Sequence, residues 1–187
     1  MDKTSIRNIP FSPPDITGVE IEEVIKTLKS GWITTGPRTK ELEKRVAEYV
    51  GVNKAVCLNS CTAAMELTLR ILGVGPGDEV ITSAYTYSAS ASIIEHVGAK
   101  IVLVDTAPDS FEMDYDKLSD AITDKTKVII PVDIAGKMCD YDKIFEIVEN
   151  KKKLFKANNE LQGLFNRIVV MADAAHAFGA DRKGKKC

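Results

Sequence analysis

The sequence predicts an α/β fold with a mostly parallel sheet covered by helices on both faces. From residue 54 onward, short apolar runs alternate with longer segments of helical periodicity, which is typical of repeated strand–helix units. The apolar runs are nearly continuous, as in IVVMA at 168–172, and this favours strands that are buried on both faces. A chain of 187 residues that is 44% hydrophobic and 28% charged also has the composition of a globular domain.

Two helices and a loop are predicted before the sheet. Residues 1–15 are rich in proline and are expected to form an extended arm. Thr17 and Glu20 have capping-box spacing, and apolar residues follow them at helical intervals. The loop 31–37, which carries the only tryptophan, leads into a second helix that ends at Gly51. Such a loop is either a plain connector or a lip that contacts a ligand.

The remaining elements alternate along the chain. Apolar runs predict the strands, and helical spacing with polar N-cap residues predicts the helices. The lysine-rich stretch 149–162 is expected to be a solvated helix extension or loop, and the tail 181–187 a polar linker. The predicted strands are 54–58, 80–82, 100–104, 128–132 and 168–172, and the predicted helices are 62–72, 88–96, 114–122 and 140–148.

A carboxylate follows the last predicted strand. Asp173 lies where the strand should end, and a buried acid is costly unless a cation meets it. Ligands of open α/β sheets bind beyond the carboxyl ends of the strands, so the protonated pyridine nitrogen of pyridoxal 5′-phosphate (PLP) is one candidate. The alternative is an aspartate that caps the next turn. The residues alone leave both interpretations open.

The turn 59–62 has the composition of an anion site. A strand, a small polar turn and a helix would aim free backbone N–H groups and a helix dipole at one point, although a simple N-cap would use the same residues. Tyr87 follows another strand, where its ring can stack on a flat ligand or pack in the core. If these strand ends share one edge of the sheet, the turn, the ring and the carboxylate converge.

Charge and cysteine spacing argue against several other classes. The net charge of −2 does not favour nucleic acid or an anionic membrane as partner, and no apolar run is long enough to cross a bilayer. The four cysteines lack the paired spacing of a metal site. Reduced thiols in a cytoplasmic protein without a signal peptide or a metal are therefore expected.

Several segments together resemble, in order, those of DegT-type nucleotide-sugar aminotransferases: GWITTGPRTKELE, CLNSCTAAMELTL, GVGPGDEVITSAYTYSA, GAKIVLVDT, KVIIPVDIAGKMCDYDKI and VVMADAAHAFGA. The members of that family are PLP enzymes of the aspartate-aminotransferase fold. The resemblance implies that residues 1–36 form an N-terminal arm, a helix and a substrate loop. Residues 37–187 would form part of the large PLP-binding domain of a type I PLP-transferase.

The resemblance also implies roles at the pyridine ring. Asp173 would hold the ring N–H and keep the nitrogen protonated. His176 would lie near the phenolic oxygen of the cofactor, and Tyr87 would stack on the ring.

Phosphate and substrate contacts are implied in the same way. The phosphate would bind at the helix start formed by Cys61, Thr62 and Ala63, where Cys61 replaces the glycine of many relatives. The loop near the sugar substrate would consist of Trp32, Ile33, Thr34 and Thr35.

By the family's spacing, the Schiff-base lysine and a small C-terminal domain would follow residue 187. The C-terminal part of the fold is thus expected to be missing, and the chain to carry no catalytic residue and to be inactive alone. The full-length protein is expected to be a homodimer. It would transfer an amino group, from glutamate as the expected amino acid, to a keto group of a nucleotide-linked sugar in polysaccharide or surface-sugar biosynthesis. A PLP-dependent sugar dehydratase, and a non-catalytic module that binds PLP, a nucleotide sugar or nothing, remain alternatives.

Overall fold

The computed structural model describes Pro10 and residues 13–187, so most of the predicted arm at 1–15 lies outside the described residues. No helix in this described part is both long and apolar enough to cross a membrane. The helices are α1 (Gly18–Lys29), α2 (Pro37–Val50), α3 (Cys61–Ile71), α4 (Ala89–His96), α5 (Tyr115–Ala121), α6 (Tyr141–Asn150) and α7 (Glu160–Phe165). The strands are β1 (Glu79–Ser83), β2 (Lys100–Val104), β3 (Thr126–Ile130), β4 (Val169–Val170), β5 (Asp181–Arg182) and β6 (Lys185–Lys186).

A parallel sheet in the order β2-β1-β3-β4 forms the centre of the fold. Successive side chains of a strand point to opposite faces, and the two central strands are apolar on both. Val80, Val128 and Ile130 pack against α3 and α4, whereas Ile81 and Ile129 pack against α5 and α6. The predicted parallel sheet with helices on both faces is confirmed.

Polar caps start the helices where the sequence predicts them. Thr17 and Glu20 form the capping box of α1, and the side chains of Ser60, Asp114 and Asp140 cap α3, α5 and α6. Each cap supplies an acceptor for a backbone N–H that has no partner within its helix. The six helices predicted from capping and periodicity correspond to α1 to α6.

The predicted strand at 54–58 is wrong. The segment has no regular structure, and Val56 is 73% exposed. The Cys57 N–H donates to the Glu43 carboxylate at 2.9 Å rather than to a neighbouring strand. Apolar β-formers become a strand only when another strand pairs with them, and within the described residues none does.

The last strand of the sheet is shorter and more exposed than predicted. Only Val169 and Val170 pair with β3. They face the two helix layers but are only half-buried, since no described strand covers the outer edge of β4. The prediction of full burial at 168–172 is therefore wrong. The boundaries of β3 also differ from the predicted 128–132, because Pro131 has no N–H for a ladder bond.

The segment between α6 and β4 is mostly exposed, as predicted for a solvated stretch, but buried contacts anchor it to the rest of the fold. Gln162 is 2% exposed and donates to the Leu72 carbonyl at 2.8 Å. The buried Lys127 ammonium donates to the Lys156 carbonyl and lies 3.8 Å from the Asp78 carboxylate. These contacts close the amino-terminal edge of the sheet, opposite the strand ends that carry the candidate site.

The tail forms a hairpin rather than the predicted linker. Strands β5 and β6 pair antiparallel. Arg182 donates to Asp140 at 2.5 Å and to Asp142 at 2.9 Å, and the Lys186 ammonium lies 5.9 Å from the centre of the Tyr49 ring. The hairpin therefore docks on α6 and α2.

Candidate active site

The candidate site lies at the carboxyl edge of the parallel sheet. The segments that leave β1, β3 and β4 reach this edge together, since parallel strands all end on the same side. A small cleft there is lined by Thr86, Tyr87, Val132, Asp133, Ile134, Asp173, Ala175 and His176. The structure thus brings together Tyr87, Asp173 and His176 of the predicted site residues.

Asp173 is buried, and the described residues contact its carboxylate through neutral donors. Its side chain belongs to a residue that is 6% exposed. Ser90 Oγ donates to Oδ2 at 2.8 Å, Ala175 N donates to Oδ1 at 3.3 Å, and the Cys61 thiol donates to Oδ1 at 3.6 Å. No lysine, arginine or histidine in the described chain forms an ion pair with it.

This environment suits a cationic ligand. A buried carboxylate without a cation is costly, and a protonated ring nitrogen would supply both the charge and a hydrogen. The turn-capping interpretation is also correct, because the Ala175 N–H donates to this carboxylate. This cap is a single hydrogen bond from a neutral N–H, so it does not neutralise the charge of the Asp173 carboxylate.

The start of α3 contacts the same carboxylate through Cys61. The residue is exposed overall, but partial burial of its thiol, followed by the neighbouring Asp173 carboxylate, raises the pKa of Cys61. The thiol therefore remains protonated near neutral pH and acts as a donor. The glycine expected at this position in many relatives has no side chain and could not donate this hydrogen bond to Asp173.

The amides of the α3 start divide into occupied and available donors. Ser60 Oγ accepts from Ala63 N at 3.1 Å, so the N-cap interpretation is correct and the Ala63 amide is occupied. The amides of Cys61 and Thr62 have no hydrogen-bond partner within the described residues. They lie at the positive end of an 11-residue helix, which is where an anion binds.

Sequence reasoning missed two hydroxyl groups. Ser90 is fully buried on α4, and its Oγ lies 2.8 Å from Thr86 Oγ1. The available signal was the serine at every second position from 88 to 92, directly after the strand end that carries Tyr87. Without the packing of α4, that pattern did not indicate which hydroxyl faces Asp173.

A buried acid supports the loop that contacts His176. Asp133 is fully buried and accepts from Cys139 N at 2.8 Å and from the Tyr141 hydroxyl at 2.9 Å. The loop that follows Asp133 turns through Ala135, whose φ is +54°. The Ala135 N–H then donates to His176 Nδ1 at 3.3 Å. A ring that accepts at Nδ1 carries its proton on Nε2, so His176 offers a donor there.

We expect the two histidines of the chain to differ in the state of Nδ1. His96 Nδ1 lies 2.8 Å from the Glu66 carboxylate and must donate to it, whereas His176 Nδ1 accepts. Long-range ¹H–¹⁵N spectra of the neutral rings should report a protonated Nδ1 for His96 and a protonated Nε2 for His176. The variant His96→Gln assigns the signals, because it leaves one histidine. A protonated Nδ1 on neutral His176 would contradict this prediction.

The predicted substrate loop lies apart from the cleft. Residues 32–35 line a separate hollow beside the ends of α1 and α2, together with Arg38. Trp32 Nε1 donates to the Thr35 carbonyl at 3.1 Å, and a Cβ at Gly36 would come within 2.0 Å of that nitrogen. The ring of Trp32 is therefore fixed by its own loop, and Trp32, Ile33, Thr34 and Thr35 are not among the cleft residues.

Within the described residues, no lysine lines the cleft. Lys183 is paired with Asp142 at the tail hairpin. Lys186 lies 3.5 Å from the Asp181 carboxylate. Lys183 and Lys186 are therefore engaged away from Asp173.

Comparison with known proteins identifies close relatives. A family model described as the DegT/DnrJ/EryC1/StrS aminotransferase family matches residues 14–187. The spore coat polysaccharide biosynthesis protein SpsC of Bacillus subtilis is 43% identical over 169 residues, covering 90% of this chain and 40% of SpsC. The UDP-4-amino-4-deoxy-L-arabinose–oxoglutarate aminotransferase of Shewanella sediminis is 41% identical over 176 residues, covering 94% and 42%.

Solved structures share the fold. The PLP-form of the candidate sugar aminotransferase Spr1654 from Streptococcus pneumoniae superposes with a TM-score of 0.94 at 62% identity, covering 96% of this chain and 46% of that one. A GDP-4-keto-6-deoxymannose-3-dehydratase superposes with a TM-score of 0.83 at 24% identity, which shows the fold alone. The chain thus spans less than half the length of the proteins that it matches.

Proposed function

Because this chain belongs to the DegT/DnrJ/EryC1/StrS aminotransferase family, we propose that it forms the cofactor-binding part of a PLP-dependent aminotransferase acting on a nucleotide-linked sugar. The whole protein would move an amino group from glutamate to a keto carbon of the sugar, in polysaccharide or surface-sugar biosynthesis. The observation that carries the proposal is the buried carboxylate of Asp173 in a cleft at the strand ends, which forms no ion pair within the described residues.

The residues of the cleft match the parts of PLP. Asp173 would hold the protonated ring nitrogen, and the amides of Cys61 and Thr62 would bind the phosphate. Tyr87, whose ring is largely exposed, would stack on the pyridine, and His176 Nε2–H would donate to the phenolic oxygen. When bound, the cofactor supplies an electron sink, and the chain's own residues keep it protonated and oriented.

The names of two relatives support the choice of substrates. One is a polysaccharide biosynthesis protein, and the other is an aminotransferase named for an amino sugar linked to UDP and for oxoglutarate. Oxoglutarate is the keto acid that glutamate becomes when it gives up its amino group. We propose that Trp32, Ile33, Thr34 and Thr35 contact the nucleotide sugar.

A homodimer is proposed for the whole protein. Helix α1 has no buried residue, and its apolar side chains Val24, Ile25 and Leu28 are exposed within the described chain. A helix whose apolar side chains are exposed together is typical of protein–protein contacts. A second copy would cover α1 and would also add surface near the substrate loop.

The 187 residues are proposed to bind the cofactor without turning over. With no lysine in the described cleft, no primary amine there can form an imine with the aldehyde carbon of PLP or act as an amine base on the substrate. Addition of PLP, glutamate and a keto sugar to this chain should give no amino sugar. Product formation would show that an amine in this chain serves the reaction.

Protection of thiols tests the proposed site. Cys57 and Cys61 are both exposed and lie four positions apart, but only Cys61 contacts Asp173. Pyridoxamine 5′-phosphate is a suitable probe, because it lacks the aldehyde that would react with surface lysines. We expect it to slow alkylation of Cys61, followed by peptide mass spectrometry, and to leave Cys57 unchanged. Equal rates for Cys61 with and without the probe would contradict the proposal.

A further inference from the structure

The hydroxyl groups of Thr86 and Ser90 form a hydrogen-bonded chain that ends on Asp173. Ser90 Oγ lies 2.8 Å from Thr86 Oγ1 and 2.8 Å from Asp173 Oδ2. An ionised carboxylate can only accept, so Ser90 must give its one proton to Asp173. Ser90 then has to accept from Thr86, which fixes the direction of both bonds. Thr86 therefore donates to Ser90, and Ser90 donates to the Asp173 carboxylate.

The contacts also identify which oxygen of Asp173 is available to a ligand. A carboxylate has about four lone-pair positions, two on each oxygen. Ala175 N–H and the Cys61 thiol use both positions of Oδ1, while Ser90 uses one position of Oδ2. The remaining acceptor position is therefore on Oδ2, the oxygen that Ser90 holds.

We propose that Ser90 is a positioning residue that orients Oδ2 of Asp173 toward the ring nitrogen of the cofactor. This inference rests on the proposed function and adds a residue to it. In this proposal Ser90 does not contact the cofactor but acts through Asp173. Thr86 in turn holds the Ser90 hydroxyl in place by donating a hydrogen bond to it.

The other described contacts of Asp173 do not fix the position of Oδ2, so we assign this role to Ser90. The backbone of Asp173 is fixed by its N–H to the Pro131 carbonyl at 2.8 Å and by its carbonyl to the Asp133 N–H at 3.0 Å. These bonds fix the main chain but not the rotation of the carboxylate. Both other donors contact Oδ1, and a thiol is a weak donor. Among the described residues, the buried hydroxyl of Ser90 makes the shortest hydrogen bond to the carboxylate and the one that reaches Oδ2.

Two ligands separate positioning of Oδ2 from general damage. Pyridoxamine 5′-phosphate has a ring nitrogen, whereas benzyl phosphate has a similar size and a phosphate but no ring nitrogen. We expect Ser90→Ala to weaken binding of pyridoxamine 5′-phosphate about tenfold or more, measured by calorimetry, because a hydrogen bond to a charged group is lost. Binding of benzyl phosphate should change less than twofold. If Ser90→Ala weakens the binding of both ligands by the same factor, Ser90 has a structural role and the inference is overturned.

A matched control exists on the same helix. Ser92 also lies on α4, and its hydroxyl donates to the Ser88 carbonyl at 2.8 Å rather than to Asp173. Ser92→Ala should bind both ligands like the wild type. Ser90→Cys has a side chain of similar volume but a weaker hydrogen-bond donor, so its affinity for pyridoxamine 5′-phosphate should lie between those of the wild type and Ser90→Ala. This variant also tests the inference if Ser90→Ala does not fold. Wild-type affinity in either Ser90 variant would overturn the inference.

The outcomes distinguish this inference from the proposed function. A wild-type chain that binds the two ligands equally well would refute the proposed cofactor site itself. A wild type that prefers pyridoxamine 5′-phosphate, and loses that preference on Asp173→Asn but keeps it on Ser90→Ala, would refute only the role of Ser90.

Discussion

Asp173→Asn is expected to lower the affinity of the chain for pyridoxamine 5′-phosphate about 100-fold. The substitution keeps the shape of the side chain but removes the negative charge that a protonated ring nitrogen needs. A charge-assisted hydrogen bond in a buried site contributes about 3 kcal/mol, which corresponds to roughly two orders of magnitude in the dissociation constant. Calorimetric titration of both proteins at pH 7 measures the difference.

The same substitution should not weaken the fold. In the absence of a ligand, Asp173 is a buried carboxylate without a cation in the described chain, so removing its charge relieves a cost. The urea midpoint of Asp173→Asn should equal or exceed that of the wild type.

A second acid at the edge of the sheet provides the control for Asp173→Asn. Asp105 follows β2, is exposed and pairs with Lys117 at 3.5 Å. Asp105→Asn removes the same charge and should bind the ligand like the wild type. Similar affinities for Asp105→Asn and Asp173→Asn would contradict the role of Asp173.

Asp133→Ala is expected to destabilise the chain by about 2–4 kcal/mol in free energy of unfolding. The change leaves the Cys139 N–H and the Tyr141 hydroxyl without their acceptor in a dry interior. Burial, followed by the Asp133 carboxylate, raises the pKa of Cys139 to about 12, and the same two causes raise the pKa of Tyr141. Urea unfolding at pH 7 measures the loss.

Asp133→Asn provides the matched comparison. The asparagine carbonyl can still accept from Cys139 N, and the Tyr141 hydroxyl can turn to accept from the new amide. We expect this variant to lose less than half of what Asp133→Ala loses. Wild-type stability in Asp133→Ala would contradict the supporting role of this residue. Asp133→Ala should also disturb the ¹⁵N signals of His176, since the loop from Asp133 carries the Ala135 N–H.

Local signals predicted the helices well. A cap such as Ser60, or the pair Thr17 and Glu20, acts on amides within three residues, so the sequence contains all of the interaction. Strands depend on partners far away in the chain. The run 54–58 has the composition of a strand but no described neighbour to pair with, and β4 is less buried than its composition indicates, because it lies at an edge.

The same distinction applies to the site. Asp173 and Tyr87 were predictable, because each follows an apolar run and parallel strands end at one edge. Ser90 was not, since its direction depends on how α4 packs on the sheet. The burial of Gln162 at the end of the lysine-rich stretch was not predictable for a related reason: it depends on the distant Leu72 carbonyl, to which Gln162 donates.

The most direct test is a crystal structure of the chain with pyridoxamine 5′-phosphate. We expect the ring nitrogen at roughly 2.7–2.9 Å from Asp173 Oδ2, and the phosphate on the amides of Cys61 and Thr62. A ring that binds in the cleft with its nitrogen turned away from Asp173, or a ligand bound elsewhere, would contradict the assignment of this edge as the cofactor site.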